Sequence, residues 1–248
     1  MKNPWMWISI VALCITAIVL AVPVRLTSQA NNIQTIPTGG RYEVAPTTQG
    51  ETKASNLPTS PNERARDATF EVYWGGKLQG AAFLEKSGYV VTVFYLIDGA
   101  SEDLSIRTVH GTTVPVRIAK VNKREEIALL ELKEKLPDVE PLSLADSSTL
   151  SFGQPVVLIG SPFWIFPTAT AGIISGLNKD GAALGKGCPT CTKLVQTDAA
   201  TGPGSSGGPL VNEGGEVVGM LALMVLQSNA FNFAVSTEHI RALINSME

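Results

Sequence analysis

The chain has 248 residues, of which 44% are hydrophobic and 17% are charged, and its formal net charge is −3. This balance fits a globular domain, and the length suffices for one membrane anchor and one domain of about 180 residues. A slightly acidic chain offers no basic surface, so we expect no nucleic-acid partner.

The chain begins with a candidate membrane anchor. After residues 1–4, an uncharged apolar run extends from Trp5 to Val24, which is long enough to cross a bilayer as a helix. Sites for signal-peptide cleavage are poor, so we expect an uncleaved transmembrane helix. Lys2 precedes the run and Arg25 follows it, and this weak bias favours a cytoplasmic N-terminus. The soluble domain is therefore expected on the extracytoplasmic side, in the periplasm or outside the cell.

A tether and one folded domain are expected after the anchor. Residues 25–66 are rich in Ser, Thr, Pro, Gly, Asn and Gln, which indicates a flexible linker. From residue 67 onward, short alternating or apolar runs are separated by turn signals, a pattern that favours antiparallel barrels. We therefore predict an all-β domain over 67–248, with barrels at 67–138 and 150–236 and a C-terminal helix at 237–247.

One glycine-rich turn carries the strongest chemical signal. Segment 197–211 reads TDAATGPGSSGGPLV and places Ser206 among glycines. Glycines let the backbone bend sharply and present N–H groups where an oxyanion would form. Such a turn presents a serine nucleophile for acyl transfer. Gly204, Ser205 and Ser206 are the candidate residues of an oxyanion hole.

Four segments resemble the trypsin-like serine proteases of the HtrA (Deg) type, in matching order and spacing. Segment 197–211 is similar to the family's T-D-A-A-x-x-P-G-x-S-G-G-P-L. The others are 88–100 (GYVVTVFYLIDGA), similar to G-Y-I-V-T-N-N-H-V-V-D-G-A; 125–131 (EEIALLE), similar to x-D-I-A-L-L-x; and 160–175, similar to G-N-P-F…T-S-G-I-V-S. The resemblance implies two antiparallel six-stranded barrels. No PDZ domain, common in the HtrA branch, is expected.

Two catalytic positions depart from the family. Tyr95 stands where the family has its histidine, and Glu126 stands where it has the aspartate that orients the histidine, whereas Ser206 is retained. A tyrosine phenol has a pKa of about 10, so it is protonated at neutral pH and is a poor base. The charge of Glu126 disfavours a second negative charge beside it.

We therefore expect an inactive protease homologue that binds a protein or peptide segment in the former cleft. The alternative is an active or conditionally active serine endopeptidase in proteolysis or protein quality control, whose base comes from a partner chain or an unusual group. The two histidines do not offer a base: His110 is expected in a solvated turn, and His239 on the surface of the C-terminal helix.

Three secondary signals remain. Cys188 and Cys191 form a Cys-x-x-Cys pair, for which a disulfide, reduced thiols, or a metal or redox role all stay open. No metal or cofactor is expected. The run Phe163–Phe166 is either a local core or an exposed apolar patch that binds a partner segment. By resemblance, Ala200 lies at the base of an apolar specificity pocket.

Overall fold

A computed structural model describes residues 60–100, 103–136, 138–184, 188–224 and 230–247, with backbone only for 223–224. The predicted anchor and residues 25–59 of the predicted linker lie outside these ranges. Across the described ranges, every helix is too short or too polar to cross a membrane.

Six antiparallel strands close the N-terminal barrel in the order β1-β2-β3-β6-β5-β4. The strands are β1 (Thr69–Trp74), β2 (Lys77–Leu84), β3 (Val90–Val93), β4 (Leu104–Arg107), β5 (Thr113–Asn122) and β6 (Ile127–Leu132). Strand β3 is buried along its whole length, as its apolar sequence VVTV requires. It pairs with β6 so that Val93 faces Ile127, and this register brings Tyr95 and Glu126, the residues at the two substituted positions, to the same end of the pair.

Six more antiparallel strands close the C-terminal barrel in the order β10-β11-β12-β9-β8-β7. They are β7 (Pro155–Gly160), β8 (Thr168–Lys179), β9 (Leu194–Thr197), β10 (Pro209–Val211), β11 (Val217–Met224) and β12 (Asn232–Ser236). The prediction of two antiparallel six-stranded barrels is thus confirmed. Short 3-10 helices lie at Phe94–Leu96, Ser147–Thr149, Pro162–Trp164 and Gly181–Leu184.

Two α-helices flank the barrels. Helix α1 (Pro61–Asp67) begins with a capping box, in which the Glu63 N–H donates to Ser60 Oγ and the Ser60 N–H donates to Glu63 Oε2. The predicted flexible linker therefore does not extend through these residues. Helix α2 (Thr237–Asn245) begins after the N-cap Ser236 and confirms the predicted C-terminal helix, although it ends two residues before 247.

Candidate active site

Strand β2 holds the loop of Ser206 against the N-terminal barrel. The Ala81 N–H donates to the Ser206 carbonyl oxygen at 2.8 Å. Gly207 has φ +87°, and a Cβ there would lie 1.9 Å from the Ala81 carbonyl oxygen. A Cβ on Gly80 would lie 2.8 Å from the Ser206 carbonyl oxygen. The glycines around Ser206 are thus required for the close approach of the two barrels.

The loop presents two free backbone donors beside the nucleophile. The Ser205 N–H donates to the Gly202 carbonyl oxygen at 3.1 Å, so this expected oxyanion donor is already engaged. Within the described ranges, the N–H groups of Gly204 and Ser206 have no acceptor in the protein. Two free N–H groups next to a serine can stabilise a negatively charged oxygen.

Tyr95 and Glu126 are brought together by their backbones. The Phe94 N–H donates to the Glu126 carbonyl oxygen at 3.1 Å, and the Tyr95 N–H donates to Glu126 Oε2 at 3.1 Å. The Lys123 ammonium lies 5.0 Å from the centroid of the Phe94 ring, on the same turn. Glu126 adopts φ +55°, the left-handed conformation that turns its side chain toward Tyr95. The turn thus places the Glu126 carboxylate on the backbone N–H of Tyr95, the residue that stands where the family has its histidine.

The Tyr95 side chain lies beside the nucleophile. Its phenol is close enough to the Ser206 side chain for that hydroxyl to affect its pKa, and the residue as a whole is 46% exposed. Burial raises the pKa of Tyr95 above its ordinary value, the interaction with Ser206 opposes this shift, and the Glu126 charge adds to it. A phenol with a raised pKa cannot take the serine proton at neutral pH.

The charged form of the Glu126 carboxyl is also disfavoured. Burial raises its pKa, the N–H of Tyr95 opposes the shift, and the nearby Asp98 charge raises the pKa further. Glu126 accepts a hydrogen bond from the backbone of Tyr95, and among the described residues no Lys, Arg or His side chain forms an ion pair with it.

The run Phe163–Phe166 forms an apolar patch at the nucleophile loop. Phe163, Trp164 and Ile165 are exposed, which excludes a local core for them. A Cβ on Gly204 would lie 3.0 Å from the Trp164 ring, and one on Gly202 would lie 2.6 Å from the Phe163 ring. The two rings thus pack directly on the loop that carries the free N–H groups.

Ala200 lies at the surface of the same loop. Its carbonyl oxygen accepts a hydrogen bond from Thr170 Oγ1 at 2.6 Å, and the neighbouring Ala199 carbonyl oxygen accepts one from Asn232 Nδ2 at 2.8 Å. These bonds fix the loop against β8 and β12. Residues 225–229, which follow β11, are outside the described ranges.

A disulfide in the loop before β9 packs against the turn that precedes β6. Cys188 and Cys191 are joined, with a Cα–Cα distance of 5.3 Å, and both are buried. Thr190 Oγ1 donates to the Arg124 carbonyl oxygen at 2.6 Å. The disulfide loop therefore supports the turn that also carries Glu126. Within the described ranges, no three His, Cys, Asp or Glu side chains gather as metal ligands.

Glu125 and His239 form a contact that the sequence did not indicate. Glu125 is buried and accepts from the Thr192 N–H at 2.9 Å. The His239 ring nitrogen Nε2 lies 3.1 Å from the Thr192 carbonyl oxygen and 3.7 Å from Glu125 Oε2. The prediction of a surface histidine at 239 is therefore wrong, because α2 packs this face against the disulfide loop. His110 is exposed in the turn between β4 and β5.

Comparison with known proteins places this geometry in a family. The family model for the trypsin-like peptidase domain matches residues 80–220. This chain belongs to the trypsin-like peptidase family. A probable periplasmic serine endoprotease DegP-like from Pseudomonas savastanoi pv. phaseolicola is 33% identical over 175 residues, which cover 68% of this chain and 34% of that protein.

The relatives are HtrA-type proteases and are longer than this chain. The serine protease Do-like HtrB of Bacillus subtilis is 30% identical over 240 residues, covering 88% of this chain and 50% of that protein. The chain thus spans about a third to a half of these two relatives. Among solved structures, the HtrA-type protease AlgW with a tripeptide has a TM-score of 0.67 and 25% identity, and covers 75% of this trypsin-like chain and 62% of its own. AlgW with a decapeptide has a TM-score of 0.68 at 22% identity, and the match covers 75% of this chain and 66% of the AlgW chain.

Proposed function

We propose that this chain is a membrane-anchored, HtrA-type trypsin-like protein that is catalytically inactive and binds a protein or peptide segment in its former cleft. The observation that carries this proposal is the position of the Tyr95 phenol beside Ser206, where the family has its histidine. A serine hydroxyl is a weak nucleophile until a neighbour takes its proton. Tyr95 remains protonated at neutral pH, so Ser206 remains a neutral hydroxyl.

The size of the catalytic deficit supports inactivity. In a serine protease triad, loss of the histidine lowers kcat by a factor of about 10⁶, or about 8 kcal/mol of barrier. Free N–H groups such as those of Gly204 and Ser206 leave a residual acceleration of about 10³–10⁴ over water. Such a rate is too slow for a working protease.

Apolar surface beside the loop supports peptide binding. Tyr95, Phe163, Trp164 and Ile165 are all exposed, and two of them pack on glycines of the nucleophile loop. Exposed apolar groups of this kind mark binding sites for partner segments. The AlgW neighbours were solved with a decapeptide and a tripeptide, which favours a peptide as the ligand here.

The anchor and the location rest on the sequence. The uncharged run from Trp5 to Val24 would cross the membrane and place the domain on the extracytoplasmic side. One relative is named as a probable periplasmic protein. The disulfide between Cys188 and Cys191 fits an oxidising compartment.

A serine endopeptidase is the second candidate function. It is favoured by the hydroxyl of Ser206 and by the free N–H groups of Gly204 and Ser206. Together these groups supply the nucleophile and the oxyanion donors of an acyl-transfer site. In this case a partner chain would have to supply the base.

Fluorophosphonate labelling and peptide binding together test the proposal. We expect no labelling of Ser206 in the full chain, and binding of fluorescein-labelled unfolded casein fragments, measured by anisotropy, that Ser206→Ala leaves unchanged. Phe163→Ser/Ile165→Ser should weaken the binding. Labelling of Ser206 that disappears in Ser206→Ala would instead support the endopeptidase.

A further inference from the structure

A cavity of about 420 Å³ lies beside the nucleophile loop. Leu78 lines it, two residues along β2 from Gly80, which contacts the Ser206 backbone. Trp164 lines it too and packs on Gly204. Two residues of a strand span about 7 Å, so a peptide that passes Ser206 would carry one of its side chains to this cavity.

The cavity contains a buried carboxylate without a cationic partner. Glu71, on β1, is 7% exposed and lines the cavity. Its Oε2 accepts from the Tyr73 hydroxyl at 3.2 Å, and its Oε1 accepts from the Ser161 hydroxyl at 3.3 Å. Both partners are neutral, and within the described ranges no Lys, Arg or His side chain reaches ion-pair distance of it. A buried charge of this kind gains strongly from a cation.

The cationic side chain opposite Glu71 in the strand pairing does not form an ion pair with it. Arg107, on β4, is directly opposite Glu71 in the antiparallel pair, where side chains lie on the same face, and it also lines the cavity. Its guanidinium lies over the next turn, with Nη2 3.8 Å from the position of a Cβ on Gly111. The Glu71 carboxylate thus shares the cavity with Arg107 but is not neutralised by it at ion-pair distance.

The cavity walls also favour a cation. The rings of Tyr73, Trp164 and Phe166 line the same space. The faces of aromatic rings attract ammonium and guanidinium groups, and most strongly so in Trp. A carboxylate among aromatic and aliphatic lining residues suits a long side chain that has an apolar stem and a charged tip.

We propose that this cavity binds the cationic side chain of a lysine or arginine in the peptide that occupies the cleft. The tip would pair with Glu71, and the stem would lie along Leu78 and Trp164. This rests on the proposed peptide-binding function and adds to it the class of partner: a segment with a basic residue a short distance from the residue held at Ser206. No bond is made or broken in this recognition.

A lysine scan tests the proposal in the full chain. Fluorescein-labelled decapeptides of Leu and Ala would carry lysine at each position in turn, and a matched series would carry norleucine, which lacks the charge. Anisotropy should show one position at which lysine binds at least about tenfold more tightly than norleucine, as expected for a charge-assisted contact. Glu71→Gln should reduce that ratio to below about twofold, and Arg107→Gln should not reduce it.

Two further variants separate the outcomes. If Glu71→Gln does not fold, the exposed Trp164 serves instead: Trp164→Leu should also reduce the lysine preference. A lysine-to-norleucine ratio near one at every position, in peptides that bind, would overturn the cavity proposal and leave the proposed function standing. A lysine preference that Glu71→Gln leaves unchanged would also overturn it, because Glu71 would then not be the group that recognises the lysine. No binding by either series would instead count against the proposed function itself.

Discussion

The backbone N–H of Tyr95 donates to Glu126 Oε2 at 3.1 Å, and the Tyr95 phenol lies beside the Ser206 side chain. Under the proposed function, a phenol that keeps its proton therefore stands where Ser206 would need a base. The surrounding scaffold, with Glu126 on the backbone of Tyr95 and free N–H groups at Gly204 and Ser206, retains the other parts of an acyl-transfer site. Under the proposed function, the chemical deficit is confined to the side chains of Tyr95 and Glu126.

Removing the Tyr95 hydroxyl should cost little stability. Tyr95→Phe removes one polar group beside Ser206 from a half-exposed side chain, so we expect the free energy of unfolding to fall by at most about 1 kcal/mol. Urea unfolding followed by circular dichroism measures it. Tyr89→Phe is the control, because its hydroxyl has no partner within the described ranges, and it should change stability less. A loss above about 3 kcal/mol in Tyr95→Phe would mean that the residue has another structural role.

The contact between the barrels at Gly207 should be intolerant of a side chain. In Gly207→Ala the alanine must adopt the left-handed backbone conformation, and its Cβ would lie 1.9 Å from the Ala81 carbonyl oxygen. Gly153 has φ +81° but has no atom within 4 Å of its Cβ position, so Gly153→Ala reports the backbone strain alone, about 1–2 kcal/mol. We expect Gly207→Ala to lose about 1–3 kcal/mol more than Gly153→Ala in urea unfolding. Equal losses would contradict the close approach of the loop to β2.

Glu126 should make the stability pH-dependent. Its pKa is raised in the folded protein, so the stabilisation that it provides is full below its unfolded pKa and is lost as pH rises through the folded pKa. Glu126→Gln keeps an acceptor for the Tyr95 N–H and cannot ionise. The unfolding free energy of Glu126→Gln, relative to wild type, should therefore rise as the pH increases above about 4. Asp98→Asn removes the like charge and should reduce this dependence. A difference that is constant over this range would contradict the raised pKa.

The disulfide should stabilise the loop that supports the Glu126 turn. Closing a loop of four residues is worth about 2 kcal/mol in the chain-entropy model. Cys188→Ala/Cys191→Ala should therefore unfold at a lower urea concentration, and dithiothreitol should shift wild type in the same direction without affecting the double variant. If the reductant leaves wild type unchanged, the disulfide does not contribute to stability.

The sequence predicted the barrels well because their strands carry local signals. Strand β3 reads as a buried apolar run, and the glycines around Ser206 mark a turn whose conformation few other residues adopt. The α1 helix at Pro61–Asp67 was missed, although Ser60 and Glu63 carry the capping-box pattern. That short signal was outweighed by the polar composition of the flanking residues.

The contacts between distant residues could not be predicted. His239 follows the pattern of a surface helix, and only the position of the disulfide loop, 47 residues away in sequence, buries it against Thr192. The cavity at Glu71 likewise depends on the pairing of β1 with β4 and on Ser161, 90 residues away. Neither arrangement has a local sequence signal, because both depend on long-range packing.

The cleavage of casein by the full chain tests the central claim most directly. Wild type, Ser206→Ala and Tyr95→His/Glu126→Asp would be compared under identical conditions, with Tyr95→His/Glu126→Asp/Ser206→Ala as the control for contaminating protease. Restoring the base should create cleavage that depends on Ser206, whereas wild type should release no more product than Ser206→Ala. Cleavage by wild type that Ser206→Ala abolishes would contradict the account, because Ser206 would then have a base other than Tyr95.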